Sequence, residues 1–420
     1  MCAARHKIRT SLHQRCEPPP AKRCRGGGGG RLPDDMVFQV LLRLPVRSLL
    51  RFRSVCTSWY ATITSPYFVR RHAELSSAAA GASSMLILPR QRLPWPLRMR
   101  GVGLYLYPGR GAVAELMHER FWSTGVVPWM PPAHLDGLVV IPSYDSQIFV
   151  CNPATREFAA LPRGGAPDCL GYQKVGFGLD PSSGRYKVVR CYLRDYDYVT
   201  LTATSVGCEV FTLGGGGGWR PAADPPCTIK AQTAVCLPSG AMYWPAILSA
   251  HEVGIVRFGL TDEEFAMFPS PPCMDPLDWG DCLAGLDGEL CYGRHSTPAT
   301  FELWKATGDG EWSLWHKFAM PQPPGRGVSP IAAHDGSIFL CLDGSLICRH
   351  DTKTGTLELV VDMQKDLCFH HAQEGLYFRI GGWAWSHTVI QYAESLISIK
   401  AGTMQENIHQ GRKKDSRSQY

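Results

Sequence analysis

The chain has 420 residues, of which 45% are hydrophobic and 10% aromatic, so it can bury a large core; this length suggests about two or three domains. No apolar run approaches the roughly 18 residues that span a bilayer, and residues 1–30 contain no hydrophobic signal core, which argues against a secreted or membrane protein. The net charge is +6; residues 1–31 carry +7 and residues 403–420 carry +2, which leaves −3 for the body and argues against a large nucleic-acid-binding face.

The amino-terminal residues 1–30 predict a disordered basic leader, because they are rich in proline, glycine and basic residues. The run AKRCR at 21–25 resembles a weak nuclear-import or RNA-contact signal, but a solvated leader is the simpler explanation. Residues 403–420, which are polar and charged, predict a disordered tail.

The sixteen cysteines are scattered and show no C-x-x-C spacing. Several lie inside apolar runs, as Cys151 does in IFVCNP and Cys341 in IFLCLDG. Free core thiols in a reducing compartment explain this pattern more simply than disulfides or a zinc site. We therefore expect a cytoplasmic and/or nuclear protein.

The segment that follows Pro33 predicts three short helices, over about 34–44, 46–54 and 55–64. Two aspartates form the first turn, where carboxylates suit the helix dipole, and Pro45 ends the first helix. One apolar stripe on this helix comprises Val37, Val40, Leu41 and Leu44. Helices this short need tertiary or partner contacts to be stable.

A second stripe, Phe38 and Leu42, leaves the first helix apolar on more than one face. This stripe could pack on the rest of the chain, or it could dock against the helices of another protein, because exposed apolar patches usually mark interfaces. A DNA-binding helix-turn-helix is a third hypothesis. The absence of basic residues between Val55 and Pro66, where a recognition helix would contact phosphates, argues against it.

After a predicted linker at 76–100, the sequence changes to short apolar runs that alternate with turn residues. Stretches such as GLDGELCYG and HDGSIFLCLDG are typical of β-hairpins. About four strands in every 40–50 residues match the blade of a β-propeller, with six blades or seven. A pair of β-sandwiches is the alternative, and the arginine-rich segment 85–125 leaves the first blade poorly defined. The last strand-like segment, HTVIQYAESLISI at 387–399, is predicted to close the ring.

No catalytic motif, metal site or cofactor site is predicted. No cysteine or carboxylate stands near His370 and His371 at a spacing typical of metal ligands. A pair of histidines in a loop therefore explains them better than a metal site. The glycine run 214–218 reads as a hairpin turn and not as a phosphate-binding loop. Three tryptophans near proline-rich or glycine-rich stretches are weak candidates for a substrate surface, namely Trp95, Trp129 and Trp383.

The string LPDDMVFQVLLRLPVRSLLRFRSVCTSWYATITSPYF resembles the F-box of plant F-box proteins. It matches the Leu-Pro start, the acidic first turn, the central Leu-Pro-Val and the Val-Cys-x-x-Trp of the third helix. The segments NPATREFAALP, GFGLDPSSGRYKVVR, GAMYW and VIQYAESLISI resemble the F-box-associated domain, a kelch-like propeller, although the paired glycines and aromatics of true kelch repeats are missing.

The resemblance implies a small all-α F-box module at 31–75 followed by an all-β, β-propeller-like domain at 101–402. It also implies a non-catalytic adaptor of a Skp–cullin–F-box ubiquitin ligase, in which the F-box binds a Skp-type adaptor, and through it cullin and RING subunits, while the β-domain binds an unknown protein substrate. The residues that the resemblance assigns to adaptor binding are Leu32, Pro33, Leu41, Leu44, Pro45, Val46, Leu49, Val55, Cys56 and Trp59. The alternative is a propeller enzyme, or a protein that binds small molecules or nucleic acid, with a helical cap.

Overall fold

A computed structural model gives the fold. It describes residues 33–80, 84–89, 101–121, 131–143, 146–165, 173–197, 202–230, 233–249, 252–274, 281–320, 327–371, 375–379 and 387–399. The described residues form a helical module, residues 33–80, and a ring of six β-sheets. None of the described helices is long and apolar enough to cross a bilayer.

The helical module has four helices, one more than the sequence pattern predicts. They are α1 (Asp34–Leu41), α2 (Val46–Phe52), α3 (Thr57–Thr64) and α4 (Pro66–Ala80). Prolines stand before α1 and α2 and open α4, where the fixed φ of proline favours helix initiation. The fourth helix continues to Ala80, so the predicted linker, 76–100, begins inside a helix.

The core of the helical module is formed by one face of each helix. Leu41, Val46, Leu49, Ile63 and Phe68 are buried together. The second stripe of α1 belongs to this core as well. Leu42 is buried, and the ring of Phe38 packs edge-on against Phe68 with 5.4 Å between ring centroids. The Phe38–Leu42 stripe therefore packs on this chain and does not form a docking surface for another protein.

Six sheets follow one another around the ring as blades. Blade 2 contains β4 (Ala133–Leu135), β5 (Leu138–Pro142), β6 (Ile148–Asn152) and β7 (Glu157–Ala160); blade 3 contains β8 (Lys174–Asp180), β9 (Arg185–Asp197), β10 (Thr202–Thr212) and β11 (Arg220–Pro221). Blade 4 contains β12 (Thr228–Ile229), β13 (Val235–Cys236), β14 (Ala241–Ser249), β15 (Glu252–Gly259) and β16 (Phe265–Phe268). Blade 5 contains β17 (Cys282–Leu286), β18 (Glu289–Thr297), β19 (Thr300–Ala306) and β20 (Trp312–Ala319); blade 6 contains β21 (Val328–His334), β22 (Ser337–Leu342), β23 (Leu346–Asp351) and β24 (Leu357–Asp362).

Asp-Gly pairs make the tight turns between the first and second strands of several blades. Both residues of each pair have positive φ: Asp136 and Gly137 have φ of 50° and 79°, and Asp287 and Gly288 have 53° and 77°. This is the backbone of the type I′ turns that suit the right-handed twist of a hairpin. The sequence therefore specifies the register of these hairpins locally.

Blade 1 joins the two ends of the propeller. It contains β1 (Met85–Leu88), β2 (Gly101–Tyr107) and β3 (Val113–Phe121), together with β25 (Cys368–His371), β26 (Leu376–Phe378) and β27 (Thr388–Gln391) from the carboxyl end. Strand β27 pairs antiparallel with β1, from Met85 opposite Gln391 to Leu88 opposite Thr388. The predicted ring closure is confirmed, with its strand limited to residues 388–391.

Strand β1 corrects the predicted linker, because Met85–Leu88 is fully buried. Met85 and Ile87 pack toward blade 6, whereas Leu86 and Leu88 pack toward blade 2. An apolar strand buried on both faces has no alternation, so its four residues resemble any short apolar run in the sequence. Similar apolar clusters fill the spaces between the other neighbouring blades.

Candidate functional site

The helical module carries a set of large apolar side chains that are exposed in the part of the chain that the structure describes. Met36 and Val40 of α1 are 54% and 56% exposed, and they lie one helical turn apart on one stripe. Val55 and Tyr60, before and within α3, are 58% and 55% exposed, and Tyr67 at the start of α4 is 70% exposed. Uncovered apolar groups at this density are typical of a protein-binding surface.

The carboxyl segment 392–399 attaches the helical module to the propeller. The side chain of Leu396 is buried in the module core, among Leu41, Val46 and Phe68. A carboxylate oxygen of Glu394 accepts a hydrogen bond of 3.1 Å from the backbone N–H of Val46, one of the otherwise unpaired N–H groups at the start of α2. The module is therefore packed onto the propeller through apolar and polar contacts together.

Asn152 at the end of β6 holds the same segment from the propeller side. Its side-chain amide donates to the backbone carbonyls of Ser395 and Ile397 at 3.0 and 2.8 Å, while its oxygen accepts from the backbone N–H of Ala154. Gly137 faces the segment too. A side chain there would lie 2.8 Å from the carbonyl oxygen of Ala393, so glycine is required both by this approach and by its positive φ.

The propeller encloses a central channel with a cavity of about 460 Å³. All six blades contribute to its lining; the residues include Ala133, Phe177, Val235, Leu283, Ile331 and Val389. A second cavity of about 270 Å³ lies where the channel meets the helical module, and Ser77 of α4 helps to line it. The helical module therefore lies at one end of the channel.

Two buried thiols and two paired histidines are the titratable groups of the propeller that bear on catalysis or metal binding. Burial raises the pKa of the thiols of Cys151 and Cys341, the latter to about 12, so these groups are protonated at neutral pH and unreactive. No group of three or more His, Cys, Asp or Glu in the part of the chain that the structure describes is arranged to hold a metal ion. His370 and His371 lie in strand β25 and not in a loop, and they contact Glu115 and Glu119 of β3.

Comparison with protein families identifies both regions. Residues 117–334, more than half of the chain, match the F-box associated beta propeller domain, and residues 30–71 match the F-box domain. This chain belongs to the F-box proteins with an F-box-associated propeller. The helical module is accordingly the F-box, extended by the end of α4.

Curated relatives of this F-box protein come from Arabidopsis thaliana. The F-box/LRR-repeat protein At2g43260 is 27% identical over 58% of this chain and 56% of its own length, so the chain spans little more than half of that relative. The F-box protein At3g49450 is 25% identical over 66% of this chain and 70% of its own length, and the F-box/kelch-repeat protein At3g23880 is 24% identical over 74% and 84%. Among solved structures, TolB from Acinetobacter baumannii has a TM-score of 0.38 at 9% identity, covering 70% of this chain and 68% of TolB, a likeness too small to carry an argument.

The residues predicted to bind the adaptor fall into groups that differ in exposure. Pro33, Pro45, Val55 and Cys56 are exposed, and Leu44 and Trp59 are half-buried. Leu41, Val46 and Leu49 lie in the F-box core, where they support the surface but are not part of it. Leu32 lies outside the described residues. Adaptor binding by these residues stays a prediction.

Four exposed residues of the F-box surface were not among the residues predicted to bind the adaptor, namely Met36, Val40, Tyr60 and Tyr67. Met36 and Val40 form an apolar pair at i, i+4 that the sequence shows. The pattern did not indicate, however, that Leu42 faces the F-box core and Val40 faces solvent. That choice depends on Phe68 of α4, against which Phe38 packs, and α4 was not predicted. The substrate candidates Trp95, Trp129 and Trp383 lie outside the described residues and stay predictions.

Proposed function

We propose that this F-box protein is the substrate-recognition subunit of a Skp–cullin–F-box ubiquitin ligase. The F-box binds a Skp-type adaptor, which connects the chain to cullin and RING subunits, and the propeller binds a protein substrate. The protein itself is a non-catalytic adaptor; ubiquitin transfer takes place on the other subunits, and this chain supplies proximity and orientation. We expect it to act in the cytoplasm and/or the nucleus.

The observation that carries this proposal is the exposed apolar set on the F-box. Fully burying one large apolar side chain is favourable by about 1.5–3 kcal/mol, so a few of these residues can supply the core of a stable interface. Met36 and Val40 project from α1 away from its buried residues Leu41 and Leu42, so a partner can cover them without disturbing the F-box core.

The attachment of the F-box to the propeller supports the same function. Leu396 and Glu394 hold α2 against the propeller, and Asn152 holds the segment that carries them. A substrate-recognition subunit needs such a fixed connection, because the distance between bound substrate and the ligase must allow ubiquitin transfer. The end of the channel away from Ser77 is the face that we assign to the substrate.

The test is a matched pair of charged substitutions, Val40→Glu in the F-box and Met267→Glu in strand β16 of the propeller. The two native side chains are similarly exposed, at 56% and 47%. Titration calorimetry of the full chain with a Skp-type adaptor should show at least about tenfold weaker binding for Val40→Glu, because a charge then faces an apolar interface, and unchanged binding for Met267→Glu.

Circular dichroism melting should give the same melting temperature for both variants, since neither side chain is buried in the free protein. Equal adaptor affinity of the two variants would remove the α1 surface from the proposal. Failure of the wild-type chain to bind any Skp-type adaptor would remove the ligase assignment.

A further inference from the structure

We propose that the central channel of the propeller binds an uncharged or cationic organic group with an apolar body, seated against His387. The group can belong to a free small molecule or to a side chain of the substrate. This site is separate from the F-box surface, and its occupancy does not depend on adaptor binding.

The size and lining of the channel suit such a group. Its volume of about 460 Å³ falls within the roughly 300–1,000 Å³ typical of sites for small organic ligands. Apolar side chains of the innermost strands, such as Phe177, Leu283, Ile331 and Val389, form about half of its walls, and polar groups form the rest. A ligand with an apolar body can therefore displace water from these walls at a gain in free energy.

His387 is the residue of the cavity lining whose surroundings indicate a bound ligand. It precedes strand β27, lines the cavity, and is only 4% exposed. Its backbone N–H donates to the carbonyl of Gly344 at 2.7 Å, and its ring rests near Phe369 with 5.9 Å between centroids. Among the residues that the structure describes, neither ring nitrogen has a hydrogen-bond partner. Buried polar groups are rarely left unpaired, because the loss of their hydration is unfavourable.

The charge of the lining defines which ligands fit. The residues described around the cavity include one carboxylate, Asp343, and no lysine or arginine. Burial lowers the pKa of His387 to about 4, so its imidazole is neutral at physiological pH, with one nitrogen as donor and the other as acceptor. An anion would find no cation among the described lining residues, whereas an amide or an amidinium can pair with the imidazole.

The experiment uses three probes that share one aromatic body and differ in the charge of the head group: benzamide, benzamidinium and benzoate. Saturation-transfer NMR on the full chain should detect saturable binding of benzamide and benzamidinium and much weaker binding of benzoate. His387→Leu should weaken the two binders by about tenfold, the value expected for one lost hydrogen bond, whereas His387→Gln, which keeps a donor and an acceptor, should retain them.

The control variant is His334→Leu, at the end of strand β21, whose side chain is 46% exposed and does not line the cavity. It should bind the probes like the wild type. Equal binding of benzoate by the wild-type chain overturns the proposal, and this comparison holds even if His387→Leu does not fold. Undiminished binding by a folded His387→Leu variant overturns it as well. Unchanged adaptor affinity of the His387 variants separates this result from the ligase proposal.

Native mass spectrometry of the chain purified from plant extract distinguishes the two sources. A bound mass that is absent from the His387→Leu sample identifies a free small molecule. Probe binding that depends on His387 in a chain that carries no extra mass assigns the site to a substrate side chain. Both outcomes support the channel chemistry, and the absence of any probe binding contradicts it.

Discussion

The F-box and the propeller use apolar side chains in different ways. Among the described residues, the F-box has five of the eleven large apolar side chains that are exposed, although it is much the smaller region. In the propeller, each blade is covered on both sides by its neighbours, so residues such as Trp244, Phe149 and Phe258 are completely buried. A closed ring leaves few apolar faces uncovered, whereas four short helices packed on one side of a ring leave several.

The largest predicted effect comes from opening the ring. A truncation from His387 onward removes strand β27, and with it the four residue pairs that join β27 to β1. We expect the truncated propeller to aggregate, because the edge of β1 and the apolar clusters on both sides of blade 1 become exposed. A truncation from Gly402 onward, which leaves the described residues intact, is the control.

Size-exclusion chromatography and thermal melting compare these two proteins. A monomeric His387 truncation with unchanged melting would show that β27 does not close the ring. A third truncation, from Ala393 onward, keeps β27 and removes Glu394 and Leu396. It should leave the propeller folded and loosen the F-box, which separates ring closure from F-box attachment.

Local sequence signals predicted much of the propeller, and their success has a physical cause. Hairpin registers are set by Asp-Gly turns such as Asp287-Gly288, whose conformation depends on the two residues themselves. The closing strand was predicted because the first and last blades of a ring must be joined and because 387–399 is the last strand-like segment of the sequence. The F-box was recognised from an ordered string of residues whose order is fixed by three consecutive short helices.

The features that sequence reasoning missed depend on contacts between distant residues. Strand β1 was assigned to a linker, because MLIL has no alternation until blades 6 and 2 cover its two faces. Leu396 was read as part of a strand, whereas it leaves the sheet and enters the F-box core. The channel cavity combines residues from six blades, and no local pattern marks them as neighbours.

The second prediction concerns a buried ionic network between blades 3 and 4. Lys187 of β9 contacts the carboxylates of Asp180 and Glu263, at 2.9 Å in each case. Burial alone would raise the pKa of both carboxyls, but hydrogen bonds, from Lys187 and two serines to Asp180 and from Arg220 and Lys187 to Glu263, hold both pKa values below their usual range. Lys187→Met should lower the free energy of unfolding at pH 7 by about 3 kcal/mol, since it removes the lysine that pairs with the buried Asp180 and leaves Glu263 with Arg220 alone.

This destabilisation should depend on pH with a definite sign. Because the folded-state pKa values are lowered, the wild-type advantage is fully present above about pH 4 and is lost as the pH falls through those values. Urea denaturation from pH 7 to pH 3 should therefore show the difference in stability between the two proteins becoming smaller in acid. Arg349→Met, which breaks the exposed Arg349–Glu358 pair, is the control and should cost less than about 0.5 kcal/mol. A gap between wild type and Lys187→Met that stays constant with pH would contradict the ionic explanation.

The third prediction tests the junction between the F-box and the propeller. Leu396→Ala should lower the free energy of unfolding of the F-box by about 2–3 kcal/mol, because it removes a buried side chain and leaves a cavity in the core around Leu41 and Phe68. Hydrogen exchange should become faster in α2 and α4 and stay unchanged in the propeller. Leu359→Ala, at an exposed position of β24, should alter neither region. Uniformly faster exchange in all blades would mean that the two regions unfold as one unit.

The smallest effect on stability is expected for a substitution of Val40, whereas a substitution of its neighbour Leu41 should have one of the larger effects. Val40 is 56% exposed and Leu41 is 1% exposed, so of two consecutive residues of α1 one lies on the surface and the other in the core. Val40→Gln should change the free energy of unfolding by less than about 0.5 kcal/mol, because more than half of the residue is exposed and glutamine is the better helix former. Leu41→Ala should cost about 2–4 kcal/mol, because it leaves a cavity in the F-box core. Chemical denaturation measures both changes in stability.

The effects on adaptor affinity should have the opposite order among variants that remain folded. Val40→Gln should lose more affinity for the adaptor than Leu41→Ala. A Val40→Gln variant as unstable as Leu41→Ala would mean that Val40 belongs to the core, and the exposed α1 surface would then no longer support adaptor binding.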